Sequence, residues 1–258
     1  MILNMLVKAK PNHLLACKKM SFGTLYTHKV RSIGPSGLST GRPAYSPVQV
    51  SPRATGILAV AKAQGLSLDV VYADQEEKEN HDKLLQVNPL GQVPVFVGKD
   101  GHIMTECIPI ALYLASQSDN TKLLGSTRQE YYEIIKWMSL ANSDLLPAIG
   151  GIILPLIGRP IDVRKDKGDC LRIVYRDCEL LETHLQGQKY LVGDRITLAD
   201  FFAVGVLVGA FMVFHKVLHA KHPRLTEWFN EVYALPSFKS IAGELRLLDI
   251  PAAAFPEL

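Results

Sequence analysis

The sequence predicts a mixed α/β domain over 20–120 followed by an all-α domain over 128–250. Two observations carry that division. Before position 120, short runs rich in β-branched and aromatic residues alternate with stretches of helical spacing. From Arg128 onward only helical spacing is left, with no alternating pattern, and the polar stretch 121–127, containing Gly125, reads as the linker.

In chain order, 1–19 carries lysines and no acidic residue, and its broken apolar stretch suits neither a secretory signal nor a mitochondrial presequence. It is expected to be a disordered, dispensable extension or a mis-assigned start, with the domain beginning at Met20. Residues 22–27 read as a strand. The block 31–50 is rich in Gly, Pro and Ser, has no periodicity, and exceeds the roughly 12–15 residues usual for structureless loops in compact domains. It is expected to be a disordered insertion, either an intron translated in frame or a specificity loop. Without it, Val30 runs directly into Ser51-Pro52, an ordinary strand-to-helix connection.

Ser51 and Pro52 open a helix, a side-chain acceptor at the N-cap followed by a residue whose missing N–H had no helical partner. Ile57, Leu58, Val60 and Ala61 give it an apolar face, and Gly65 ends it. Residues 66–72 form the second strand, 76–86 a short exposed helix, and 106–117 another helix with Pro109 confined to its first turn. The order βαβ, α, ββα is that of a thioredoxin-like domain. In the second half, Thr197 caps a helix, Asp200 returns to the cap, and Ile196 can pack on Phe201 as a hydrophobic staple. Trp228, Phe229, Val232 and Tyr233 recur at helical spacing and read as packing residues.

Composition narrows the function classes. A hydrophobic content of 48% with 21% charged residues describes a globular chain, and a net charge of +3 supplies no clustered basic face for nucleic acid. Cys17, Cys107, Cys170 and Cys178 lack CxxC spacing, so free thiols in a reducing compartment are expected rather than disulfides or zinc. The eight histidines show no ligand spacing, so no metal is expected, and no phosphate loop or catalytic triad pattern occurs. The longest apolar run, 201–214, is too short to cross a bilayer and suits a buried core helix. A cytoplasmic enzyme or module, with no nucleic-acid or membrane partner, is the expectation.

The stretch most suggestive of a site is Asn88-Pro89-Leu90-Gly91-Gln92-Val93-Pro94-Val95-Phe96, followed by the Asp100-Gly101 turn and Thr105-Glu106-Cys107. Pro94, just before a strand, is a candidate for a cis bond that leaves the Val93 backbone free to pair with an extended peptide. Glu106-Cys107 opens a helix whose unpaired N–H groups favour a carboxylate. A short anionic peptide fits both ends. The plainer alternative is that Pro94 starts an edge strand and Glu106 sits favourably in a first helical turn.

At these residues the chain resembles the glutathione transferase superfamily, in which such a loop, proline and strand, with a following Glu-Ser, hold the tripeptide glutathione. Here Cys107 stands where the resemblance expects serine, and a thiol is the weaker donor. The stretches Gly23-Thr24-Leu25-Tyr26-Thr27, Asn142-Ser143-Asp144 and Tyr190-Leu191-Val192-Gly193-Asp194-Arg195-Ile196-Thr197-Leu198-Ala199-Asp200 resemble the branch containing the module of the translation elongation factor 1 gamma subunit. The resemblance implies the glutathione transferase fold, glutathione as co-substrate with no further cofactor, and a second copy of the chain as an allowed partner.

It further implies Ser51 as the hydroxyl that activates the glutathione thiol, with Tyr26 the runner-up and Thr27 a distant third. Gln92 would meet the glycine carboxylate, Val93, before Pro94, the cysteinyl backbone, and Glu106 the γ-glutamyl ammonium, with Cys107 near its carboxylate. Tyr132, Trp137, Ala141 and Phe211 would line a cleft for the second substrate, or equally serve as core. The implied activity is conjugation of glutathione to an electrophile, in detoxification or secondary metabolism. The alternative is a non-catalytic interaction module like the elongation-factor subunit, which differs in continuing past the module into a further domain.

Overall fold

A computed structural model of the chain describes residues 20–30, 49–119, 121–156 and 166–248. The first part runs β1 (Gly23–Thr27), β2 (Lys29–Val30), β3 (Gln49–Val50), α1 (Pro52–Ala63), β4 (Leu68–Tyr72), α2 (Lys78–Val87), β5 (Val95–Gly98), β6 (Ile103–Thr105) and α3 (Cys107–Ala115). Four strands form one sheet in the order β4-β1-β5-β6, with β4 parallel to β1 and β5 and β6 antiparallel to their neighbours. The expected disorder of 1–19 and of most of 31–50 falls outside the described residues. The end of that block is corrected: Gln49–Val50 pair antiparallel with Lys29–Val30.

Strand alternation assigns the two faces. Leu25 of β1 and Phe96 of β5 face α1 and α3 and join the large core with Ile57 and Ile110. Tyr26 packs on the other side, with Ala73, Leu84 of α2 and Val95. The first helix is more deeply buried than its apolar stripe suggested, since every residue from Ala54 to Ala61 is buried. It lies between the sheet and the second domain, so small residues such as Gly56 and Ala59 are as enclosed as Ile57.

The second part comprises α4 (Arg128–Leu140), a π-helical turn (Ala141–Leu145), α5 (Leu146–Leu156), α6 (Lys167–Gln186), α7 (Leu198–Lys221), α8 (Pro223–Tyr233) and α9 (Pro236–Ala242). The linker is tied down: the Leu198 N–H donates to Leu123 O at 2.8 Å, and Gln64 Nε2 donates to Ala115 O and Thr121 Oγ1. The helix α7 extends past the apolar run read from the sequence. Leu198–Lys221 and Arg128–Pro155 have the length and composition of membrane spans, but 67% of the α7 window is buried inside the protein, which makes it a core helix. Phe211 of α7 stacks on Phe229 of α8, and Trp228 is fully enclosed.

Two features hold α7 in place. Its capping box is complete, and Asp200, fully buried, also accepts from the Leu191 N–H at 3.0 Å and from Trp228 Nε1 at 2.9 Å. Burial pushes the Asp200 carboxyl above its ordinary range, while these donors, with Thr197, pull it back. At the domain junction α1 and α7 touch backbone to backbone. A Cβ on Gly205 would sit 3.0 Å from Gly56 N and 3.3 Å from Pro52 O, and one on Gly56 would sit 3.1 Å from Phe201 O.

Replacing Asp200 with Ala leaves several buried donors unpaired, and urea unfolding is expected to show a loss of about 3 kcal/mol or more. Gly205→Ala gains helix propensity but forces two helix backbones apart. A net loss of about 1–2 kcal/mol is expected in the same measurement.

Candidate active site

The register of the sheet brings the site together. Tyr26 pairs with Val95, Thr27 with Tyr72, and Val95 with Thr105. Thr27, at the end of its ladder with β4, and Pro94 and Glu106, each one residue outside the Val95–Thr105 pair, therefore meet at one end of the sheet. Thr27 is fully buried and its Oγ1 lies 3.2 Å from Ser51 Oγ. Ser51 caps α1, its Oγ accepting from the Ala54 N–H at 3.4 Å and its carbonyl from the Thr55 N–H at 2.9 Å.

The Val93–Pro94 bond is cis, as the sequence suggested, with Pro94 buried and Gln92 exposed. The loop before it hangs on Asn88, a residue that the sequence offered only as a turn former. The buried Asn88 side chain donates through Nδ2 to Gln92 O at 2.9 Å and accepts from the Leu90 N–H, while its carbonyl accepts from the Gly91 N–H. An Asn directly before Pro, with Gly three residues on, is the signal that could have found it.

Glu106 is the N-cap of α3 and has φ 67° and ψ 131°, the one positive φ outside glycine among the described residues. Such a conformation costs on the order of 1–3 kcal/mol and concentrates at binding sites. Its exposed side chain makes no capping bond to α3. Next to it, Cys107 is 2% exposed, and its Sγ donates to Asn142 Oδ1 at 3.3 Å. Arg53 Nε, in the first turn of α1, donates to the same oxygen at 3.4 Å. The starts of α1 and α3 are thus tied to one atom of the helical domain. Burial pushes the Cys107 thiol up, against the pull of the Arg53 charge and with the push of Glu106.

Ser51, Val93, Pro94, Glu106 and Cys107 therefore share one end of the sheet, with Gln92 in the loop that leads there. Tyr26 does not join them: alternation along β1 sends it to the α2 face, opposite Thr27 and Ser51. Thr27, ranked below it, is the residue beside Ser51. For the residues read as cleft lining or equally as core, packing decides for the core in three cases. Trp137 packs on His184 with ring centroids 4.6 Å apart, Phe211 stacks on Phe229, and Ala141 is buried, so all three belong to the core, where a helical bundle needs them. Tyr132 is exposed on α4. Among the described residues no group of His, Cys, Asp or Glu has the arrangement of a metal site.

A thioredoxin-like sheet backed by a helical bundle, with two helix starts meeting at a proline-led strand, defines a class of two-domain folds. Residues 48–116 match the family described as glutathione S-transferase, N-terminal domain, and residues 145–236 match glutathione S-transferase, C-terminal domain. The chain is 41% identical over 229 residues to the glutathione S-transferase stcT of Emericella nidulans, covering 87% of this chain and 93% of that one. It is 39% identical over 224 residues to mdpJ of the same organism, covering 87% and 92%. Among solved structures, the glutathione-transferase-like domain of elongation factor 1-gamma from Saccharomyces cerevisiae superposes with a TM-score of 0.68 at 30% identity, covering 90% of this chain and 98% of that one. The chain belongs to the glutathione S-transferase family.

The raised Cys107 thiol leaves little thiolate at neutral pH, and Cys178, fully buried, is pushed up to about 12. Alkylation of the folded protein, followed by peptide mapping, is expected to label Cys107 only slowly at pH about 7, faster as the pH rises, and always ahead of Cys178.

Proposed function

We propose that the protein is a glutathione S-transferase that joins the sulfur of glutathione to an electrophilic carbon of a small molecule. The observation that carries this is the meeting of two helix starts, at Ser51 and at Glu106-Cys107, on the sheet end that also holds Val93-Pro94. That arrangement offers backbone N–H groups at two points, separated by the cis turn at Val93-Pro94, to a peptide with an anionic end and a nucleophilic thiol.

The proposed roles follow from placement. Val93 supplies backbone hydrogen bonds to the cysteinyl residue, Gln92 meets the glycine carboxylate, Glu106 meets the γ-glutamyl ammonium, and the first N–H groups of α3 hold the carboxylate beside it. The glutathione sulfur lies at the start of α1. Either hydroxyl of the Thr27–Ser51 pair can donate, and when Thr27 does, the serine proton is left to point at that sulfur. An ordinary thiol, with pKa about 8.5, needs roughly two units of lowering to be ionised at neutral pH, worth about 2.7 kcal/mol. A hydroxyl donor and a helix N-terminus are of the right size to supply it. The thiolate then forms the C–S bond, and the electron pair goes to the leaving group or the activated acceptor.

The second reading, an interaction module without catalysis, is favoured by the likeness to the elongation-factor domain at 30% identity. The two Emericella relatives, more similar in sequence and named as transferases, favour the enzyme. Cys107, Cys170 and Cys178 form no disulfide, which suits a reducing cytoplasm as the place of action.

Retention on immobilised glutathione, together with a conjugation assay against an aryl halide, tests this. The wild type is expected to bind and turn over. Ser51→Ala is expected to keep binding while kcat/KM falls by at least about tenfold, the equivalent of roughly 1.4 kcal/mol in the transition state. Binding without turnover in the wild type favours the module, and absence of both removes the site assignment.

A further inference from the structure

The π-helical turn Ala141–Leu145 interrupts the run from α4 to α5 and presents Asn142 to the first domain. Such turns often occur at functional sites, because the extra residue re-aims a side chain that a regular helix would direct elsewhere. Asn142 Oδ1 accepts from two donors at once, Arg53 Nε at 3.4 Å and Cys107 Sγ at 3.3 Å. This fixes the amide orientation on chemical grounds, since a flipped amide would set an NH2 group against the guanidinium N–H.

Arg53 lies two residues from Ser51 and is itself exposed. Among the described residues, the bond to Asn142 is the one hydrogen bond its guanidinium makes. A long cationic side chain at a surface samples many rotamers unless something holds it, and Arg53 is held at the place where α1 begins. A fixed cation there is electrostatically matched to a thiolate, and a positive charge within about 4–6 Å favours the ionised form of a thiol. The influence of Arg53 already reaches the nearest protein thiol, where it opposes the effect of burial on Cys107.

We propose that Asn142 is a positioning residue contributed by the helical domain: it anchors Arg53 so that the guanidinium stabilises the glutathione thiolate, and it ties the start of α3 to the start of α1. This rests on the assignment of the site as a glutathione site. The sulfur is activated by Ser51 and Arg53 together, and the second domain sets the geometry of both helix starts through one amide oxygen.

A double-mutant cycle on the full chain tests it, using the pH dependence of kcat/KM for glutathione conjugation to an aryl halide and the thiolate ultraviolet absorbance of the bound complex. Asn142→Ala and Arg53→Ala are each expected to move the acid limb upward by about half to one unit. The double variant is expected to move it no further than Arg53→Ala alone, since the two act as one unit. Asn142→Asp, which still accepts from both donors, is expected to restore the glutathione KM lost in Asn142→Ala.

An unchanged acid limb in Asn142→Ala, with only a lower melting temperature, overturns the proposal and leaves Asn142 as a structural tie. Additive shifts in the double variant overturn the action through Arg53. A wild type that neither retains glutathione nor turns over overturns the glutathione site itself, and with it this proposal. That outcome is distinguishable because it appears before any substitution is made.

Discussion

Two glycines that let the backbones of α1 and α7 touch are the constraint on which the arrangement of the site depends. A Cβ at either Gly56 or Gly205 would meet backbone of the opposite helix at 3.0–3.1 Å, so neither position tolerates a side chain without the helices separating. Because α1 is pinned this closely to the central helix of the second domain, Ser51 at its start is located relative to both domains. The Asp200 cluster fixes the other partner, binding the start of α7 to the loop at Leu191 and to Trp228 of α8. The position of the serine is thus set by interactions that themselves touch no ligand.

The two helix starts do different electrostatic work. At α1 the cap is satisfied by Ser51, and the remaining positive character of the terminus is reinforced by the nearby Arg53. At α3 the cap is a glutamate at positive φ whose side chain makes no bond to its own helix, while its carbonyl accepts from the Ile110 N–H. Under the proposed function one end takes the anionic sulfur and the other the amino-acid head group that bears both charges. A module that only holds protein partners has no use for this division, although such a module could retain it by descent.

Much of this was legible in the sequence where the physics is local. The N-cap serine before proline, the capping box at Thr197 and Asp200, and the loop entering Pro94 are short-range signals, and each marks an element that the structure contains. The choice between Tyr26 and Thr27 was also readable, since a strand has a period of two and Thr27 must share the face of Leu25. The burial of α1 on every side was harder to see, because Ala and Gly leave a weak apolar pattern although a flanking domain encloses them. The meeting of Asn142 with Arg53 and Cys107 could not be read from spacing, since it depends on a break in helical period and on contacts across 35 and 89 residues.

The short ladder of β2 with β3 has a consequence for how this chain can vary. Lys29–Val30 and Gln49–Val50 bring positions 30 and 49 together as hydrogen-bonded neighbours, immediately ahead of the serine that starts α1. Whatever sequence lies between them enters and leaves through the same narrow gate. Doubling a connection that is closed at its ends adds only about 0.6 kcal/mol of chain entropy. Evolution can therefore lengthen, trim or rewrite the sequence between those two positions without moving the start of α1, so change in the one and constancy in the other can be inherited separately.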